Sequence, residues 1–190
     1  MNLAFNFYDD LFWIHNFLPQ KTYKDMYVSF IKSRNKLDFK KTDVNWRTFK
    51  EEKNNMSESY GQFIKNKDED NNLNNYLKTY ETLLNHQSFV NFLDFELSSH
   101  LRLFKYNQHL GWHSDGAQEG RRYAATFYLN RTWQESWGAE LMFKSSRGSG
   151  FIPIKGNSLV IVKTGLKHKV NPNLKKTHPR FTIQTWVNTK

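Results

Sequence analysis

The pattern of apolar and polar positions divides this chain into two textures. Near the start, Leu18-Pro19-Gln-Lys-Thr22 reads as a helix entry. Tyr23, Met26, Tyr27, Phe30 and Ile31 follow at spacings of three and four, which predicts an amphipathic helix ending near Arg34. Residues 35–55 are polar, with Trp46 and Phe49 as isolated anchors, and match no template. A second helix is expected from Glu58 to Ile64, a charged, Asn-rich loop over 65–75, and a third helix over much of Asn74–Phe95, where Tyr76, Tyr80, Leu83 and Leu84 keep helical spacing.

After Ser98 the period shifts. Leu101–Tyr106 alternates as a strand does, and Arg122–Leu129 is an apolar, aromatic run suited to a buried strand. Glu140–Phe143, Ser158–Val162 and Phe181–Val187 are further strands, punctuated by Gly, Asn, Pro and Ser. Helices first and strands after indicate an α+β domain, its helices against one outer face of a sandwich or small barrel. The length suits one domain, 1–190, with 1–97 as mainly helical support and 98–190 as the strand-rich core.

Composition narrows the chemistry. There is no cysteine, so disulfides and thiolate metal sites are excluded, and a metal must be held by His, Asp, Glu, backbone or water. No apolar run approaches membrane-spanning length. The N-terminus lacks a basic region and carries Asp9 and Asp10 early, so it does not read as a secretory signal, and a cytoplasmic location is expected. The net charge of +10 admits RNA, DNA or a ribosome as partner. Because the charge is spread and mostly lysine, a solvated basic surface is the plainer reading.

The densest chemistry lies in Gly111-Trp-His-Ser-Asp-Gly116. His113 and Asp115, one residue apart on an extended segment, point to the same side. His168 lies downstream in Thr164–Val170, just after a buried strand and a turn-like Gly165. Two imidazoles and a carboxylate on one face suit iron(II) with open positions left over. His-any-Asp alone is short enough to arise by chance. Arg180 opens the last strand, with Thr182 and Gln184 on the same face. A guanidinium there fits a carboxylate ligand, with Thr182 and Tyr128 as hydroxyl donors; a pairing with Glu140 or Asp94, or exposure at the strand start, is the alternative. His109-Leu-Gly-Trp-His113 has one-turn histidine spacing but lacks the glutamate of a helical zinc hydrolase. Trp112, Trp133 and Trp137 are either a hydrophobic substrate rim or core, with core preferred for Trp133. Arg121-Arg122 reads as surface.

These segments together resemble the prolyl-hydroxylase-like 2-oxoglutarate/iron(II) oxygenases. His113-Ser-Asp115 is similar to their proximal metal motif and His168-Lys-Val-Asn-Pro172 to their distal one. Tyr128-Leu-Asn, Trp133, Trp137-Gly-Ala-Glu-Leu and Arg180–Trp186 match further segments in order, and Ile14–Pro19 is similar to the family's lead-in. The resemblance implies a double-stranded β-helix, or jelly roll, supported by N-terminal helices. It implies that His113, Asp115 and His168 hold iron(II), and that Arg180 holds the distal carboxylate of 2-oxoglutarate beside Tyr128 and Thr182. Tyr106 would reach the cosubstrate from the strand before the metal motif, although its interval to His113 is short. Ala139 stands where the family has a second glycine. The implied reaction hydroxylates an unactivated C–H bond, of a prolyl residue in a protein or peptide, with succinate and carbon dioxide released and ascorbate as a possible auxiliary. Hydroxylation of a small molecule or free amino acid is the first alternative. A nucleobase demethylase would carry a second arginine where Trp186 stands, and a non-catalytic jelly roll would not need the full set of His113, Asp115, His168 and Arg180.

Overall fold

The computed structural model describes residues 2–33, 39–41, 58–60, 95–115 and 120–189. Within them two antiparallel sheets face each other. The strands are β1 (Asn2–Phe7), β2 (Leu11–His15), β3 (Phe39–Lys41), β4 (Glu58–Tyr60), β5 (Phe95–Phe104), β6 (Leu110–His113), β7 (Arg121–Tyr128), β8 (Leu141–Ser145), β9 (Gly148–Ile152), β10 (Ser158–Lys163), β11 (Lys167–Val170) and β12 (Arg180–Thr189). The larger sheet runs β1-β2-β10-β7-β12-β5-β4-β3, and the smaller runs β6-β11-β8-β9. This is the double-stranded β-helix architecture implied by the motif order.

Burial explains the layering. In β10 every residue from Ser158 to Val162 is buried, because one face meets the smaller sheet and the other meets α1 (Gln20–Ser33). The helix lays Tyr23, Met26 and Phe30 on the larger sheet. The Phe30 ring packs against Phe181 at 4.8 Å, and the Tyr23 hydroxyl donates to the Leu129 carbonyl at 3.1 Å. The second apolar cluster, with Phe104, Tyr128, Leu141, Phe143, Val160 and Val170, fills the space between the sheets. One end of that space is left open as a cavity. Among the described residues no helix is long and apolar enough to cross a membrane.

The expected strands in the second half are present, with β7, β8, β10 and β12 within a residue or two of their predicted cores. One expectation changes. Residues 58–60 form a strand paired to β5 rather than the start of a helix over Glu58–Ile64; the rest of that segment lies outside the described residues. The expected helix over Asn74–Phe95 also lies outside them, except that Phe95 already belongs to β5. The N-terminal segment is not purely helical support, since β1 and β2 form a hairpin that β2 adds to the larger sheet beside β10.

Candidate metal centre

The pairing of β6 with β11 puts His113 directly opposite His168, with ring centroids 4.2 Å apart. Asp115 follows the end of β6 and turns its carboxylate between the two rings. Its Oδ1 lies 3.9 Å from His113 Nε2 and its Oδ2 lies 3.6 Å from His168 Nε2. Asp115 and His168 are buried, and His113 nearly so. One ligand atom from each of the three lies within 4.8 Å of the others.

The proton positions give this cluster its meaning. His113 Nδ1 lies 2.8 Å from the Gly111 carbonyl, and His168 Nδ1 lies 2.9 Å from the Leu166 carbonyl. A carbonyl oxygen only accepts, so each Nδ1 donates to its carbonyl, and each Nε2 is turned toward Asp115. Burial, then the neighbouring His168, pushes the His113 pKa down and keeps that ring neutral. Two Nε2 atoms and a carboxylate therefore converge, His113 Nε2 3.9 Å and His168 Nε2 3.6 Å from the Asp115 oxygens, too far for hydrogen bonds between them. Asp115 Oδ2 is buried without a hydrogen-bond partner. A buried carboxylate oxygen of this kind favours a cation, and two imidazoles with one carboxylate form the ligand set of non-haem iron(II).

The cavity beside this cluster is walled by both sheets. His113, Asp115, His168, Arg180 and Thr182 all line it, as the sequence led us to expect. Arg180 is buried to 2% exposure, and among the described residues no carboxylate pairs with it, so neither Glu140 nor solvent takes the guanidinium. Asp94 lies outside the described residues. The guanidinium carbon sits 4.6 Å from the Phe104 ring and 5.2 Å from the Tyr128 ring. Burial lowers its pKa. The Tyr128 hydroxyl is wholly buried close to Arg180, without a well-aligned hydrogen-bond partner, and burial raises its pKa. Thr182 pairs in register with Tyr128 on one side and Arg102 on the other.

Two residues depart from expectation. Tyr106 is not brought to the cavity. Strand β5 ends at Phe104, the chain turns through Asn107 at φ 62°, and Tyr106 is left 49% exposed with Lys176 over its ring. Phe104 occupies the place facing Arg180 instead. Trp112 is likewise no cavity rim; it projects from the outer face of the smaller sheet. Trp133 packs against the core between the sheets, and its indole donates to the Gly138 carbonyl.

Sequence reading missed Arg102 and Phe104, which line the cavity as alternate residues of β5. Strand parity was the available signal, since residues two apart share a face. Arg102 lies 5.8 Å from the Trp186 ring, and burial lowers its pKa to about 10. Arg121 lies 4.9 Å from that same ring. Gln184 accepts a 2.7 Å hydrogen bond from Thr126 across the cavity wall.

A family model described as the 2OG-Fe(II) oxygenase superfamily matches residues 99–188, the span that holds the whole cluster. Residues 99–188 belong to that superfamily. The matched region is that of a 2-oxoglutarate-dependent dioxygenase. A prolyl-4-hydroxylase from Pseudomonas putida shares the fold at TM-score 0.76 and 18% identity, covering 95% of this chain and 93% of that one. A prolyl hydroxylase from Trichoplax adhaerens, solved with a hypoxia inducible factor oxygen degradation domain peptide, shares it at 0.75 and 15%, covering 96% and 84%. The viral collagen prolyl hydroxylase of Paramecium Bursaria Chlorella virus-1, in complex with 2OG, does so at 0.68 and 14%, covering 95% and 96%. At these identities the likeness is one of fold. No curated protein matches in sequence.

Proposed function

We propose that this oxygenase hydroxylates an unactivated C–H bond of a prolyl residue in a protein or peptide, converting 2-oxoglutarate and dioxygen to succinate and carbon dioxide. The observation that carries the metal assignment is the convergence of the His113 and His168 imidazoles on the Asp115 carboxylate, one ligand atom from each within 4.8 Å of the others. His113, Asp115 and His168 hold iron(II), which supplies the dioxygen chemistry. Arg180 takes the distal carboxylate of 2-oxoglutarate in a two-pronged, charge-assisted contact, with the Thr182 and Tyr128 hydroxyls beside it. Phe104 walls that carboxylate off from water, which strengthens its attraction to the guanidinium. The prolyl substrate is supported by the fold shared with three prolyl hydroxylases. Trp186 in place of a second arginine fits the same branch.

Succinate formation is measured with iron(II), ascorbate and 2-oxoglutarate against proline-containing peptides, with Asp115→Ala as the control. Mass spectrometry then locates an added oxygen on the peptide. Oxygen on proline, lost in the control, is expected. Succinate release driven only by a free amino acid or other small molecule, with no peptide modified, would replace the prolyl assignment while keeping the cosubstrate one. Equal rates in the two proteins would remove both.

A further inference from the structure

We propose that the outer face of the smaller sheet is a docking surface for single-stranded nucleic acid. The inner face of that sheet carries His168, Val170, Leu141 and Phe143, all buried. Alternation then sends Lys167, Lys169, Met142 and Lys144 outward. The strand register arranges them in two rows. Lys169 is opposite Met142, and Met142 is opposite Phe151; Lys167 is opposite Lys144, and Lys144 is opposite Ser149. Trp112 of β6 extends the first row, with the Lys144 and Lys169 ammonium groups 4.2 and 5.3 Å from its ring.

Trp112 is 40% exposed and Phe151 60% exposed, so two large rings stand in water on a lysine-bearing plane. Among the described residues no carboxylate pairs with Lys144, Lys167 or Lys169. Of the nearby acids, Glu140 accepts from Asn171, and Asp10, which lines the cleft beside these lysines, faces Arg147 and Lys163. Lys144 and Lys167 also edge a cleft of about 670 Å³ that continues past Ser145, Ser146 and Lys163. The chain as a whole carries +10.

A phosphodiester backbone is the polymer that lysines of this kind neutralise, and flat bases are what exposed rings stack upon. An acidic peptide would satisfy the lysines and leave Trp112 and Phe151 with no planar partner. A duplex keeps its bases stacked on one another and away from such rings. The face lies on the opposite side of the sheet from the cavity, so the surface is independent of the catalytic proposal.

Fluorescence anisotropy with a labelled single-stranded oligouridine at several salt concentrations tests the surface. Replacing Lys144, Lys167 and Lys169 by Glu should weaken binding at least tenfold and reduce the salt slope, by about 0.7 for each lost phosphate contact. The pair Trp112→Ala and Phe151→Ala should weaken it by at least about thirtyfold with the slope unchanged. Asp115→Ala should bind as well as the parent chain, which separates this surface from the metal site. Thermal melts confirm that each variant folds. No binding at low salt overturns the proposal. So does equal binding of polyglutamate, of a duplex of the same length or of anionic phosphatidylserine vesicles, or an affinity that ignores loss of both rings.

Discussion

Replacing Arg180 by methionine should stabilise the protein and disable it together. The guanidinium is buried at 2% exposure and has no acidic partner among the described residues. Exchanging a buried ionic group for an apolar one of similar volume ranges from neutral to a gain of about 1–4 kcal/mol. Against this stand the contacts with the Phe104 and Tyr128 rings, at 4.6 and 5.2 Å, worth roughly 1–2 kcal/mol together. The net expectation is a gain of about 1–2 kcal/mol, or a rise in Tm of roughly 2–8 °C for a chain of this size. With manganese(II) present throughout, adding 2-oxoglutarate at about a hundred times its Kd should stabilise the parent by about 2.7 kcal/mol and leave the variant unmoved. The melting order of the two proteins therefore reverses when cosubstrate is added. Differential scanning calorimetry with and without 2-oxoglutarate reads both effects. A variant that melts below the parent without cosubstrate, yet still shifts when it is added, would make Arg180 a framework residue and refute the argument.

Tyr106→Phe should leave the KM for 2-oxoglutarate within about twofold, because that side chain lies outside the cavity; steady-state kinetics would show a larger rise if it reached the cosubstrate. Gly138→Ala should cost at least about 2 kcal/mol in urea melts, since φ is +69° and a Cβ would stand 2.5 Å from the Pro172 carbonyl oxygen. Acid should destabilise the metal-free protein. The folded His113 pKa lies below its ordinary value of 6.5, so the unfolded chain binds the proton more readily. Stability from this group is present above about pH 6.5 and falls by roughly 1–2 kcal/mol towards pH 5, where denaturant midpoints at matched ionic strength would detect it.

The site was more legible than the scaffold around it. His113, Asp115, His168 and Arg180 stand out by residue type and by the resemblance their segments carry in order along the chain, and the structure brings all four to one cavity. The long buried strands β7, β10 and β12 announce themselves by continuous apolar runs. By contrast β6, β9 and β11 are only four or five residues long and rich in Gly and Lys, so they carry too few periods to read. The Leu11–His15 strand was hidden by its position next to a clear helix entry. Tyr106 was misplaced because residue type was weighed above backbone geometry. Parity assigns it the face of Phe104 only if the strand continues, and the turn at Asn107 ends it.

The hydrogen bonds that orient the two metal-facing histidines come from main-chain carbonyls, those of Gly111 and Leu166. In many metal sites a second carboxylate side chain does this work, and mutation can remove it. Here no substitution at position 111 or 166 deletes the acceptor, because every residue carries one. This share of the aim of the two rings is thus inherited from strand geometry. The cavity wall at Arg102, Gln184 and Trp186 can therefore change by substitution while the two main-chain acceptors stay in place.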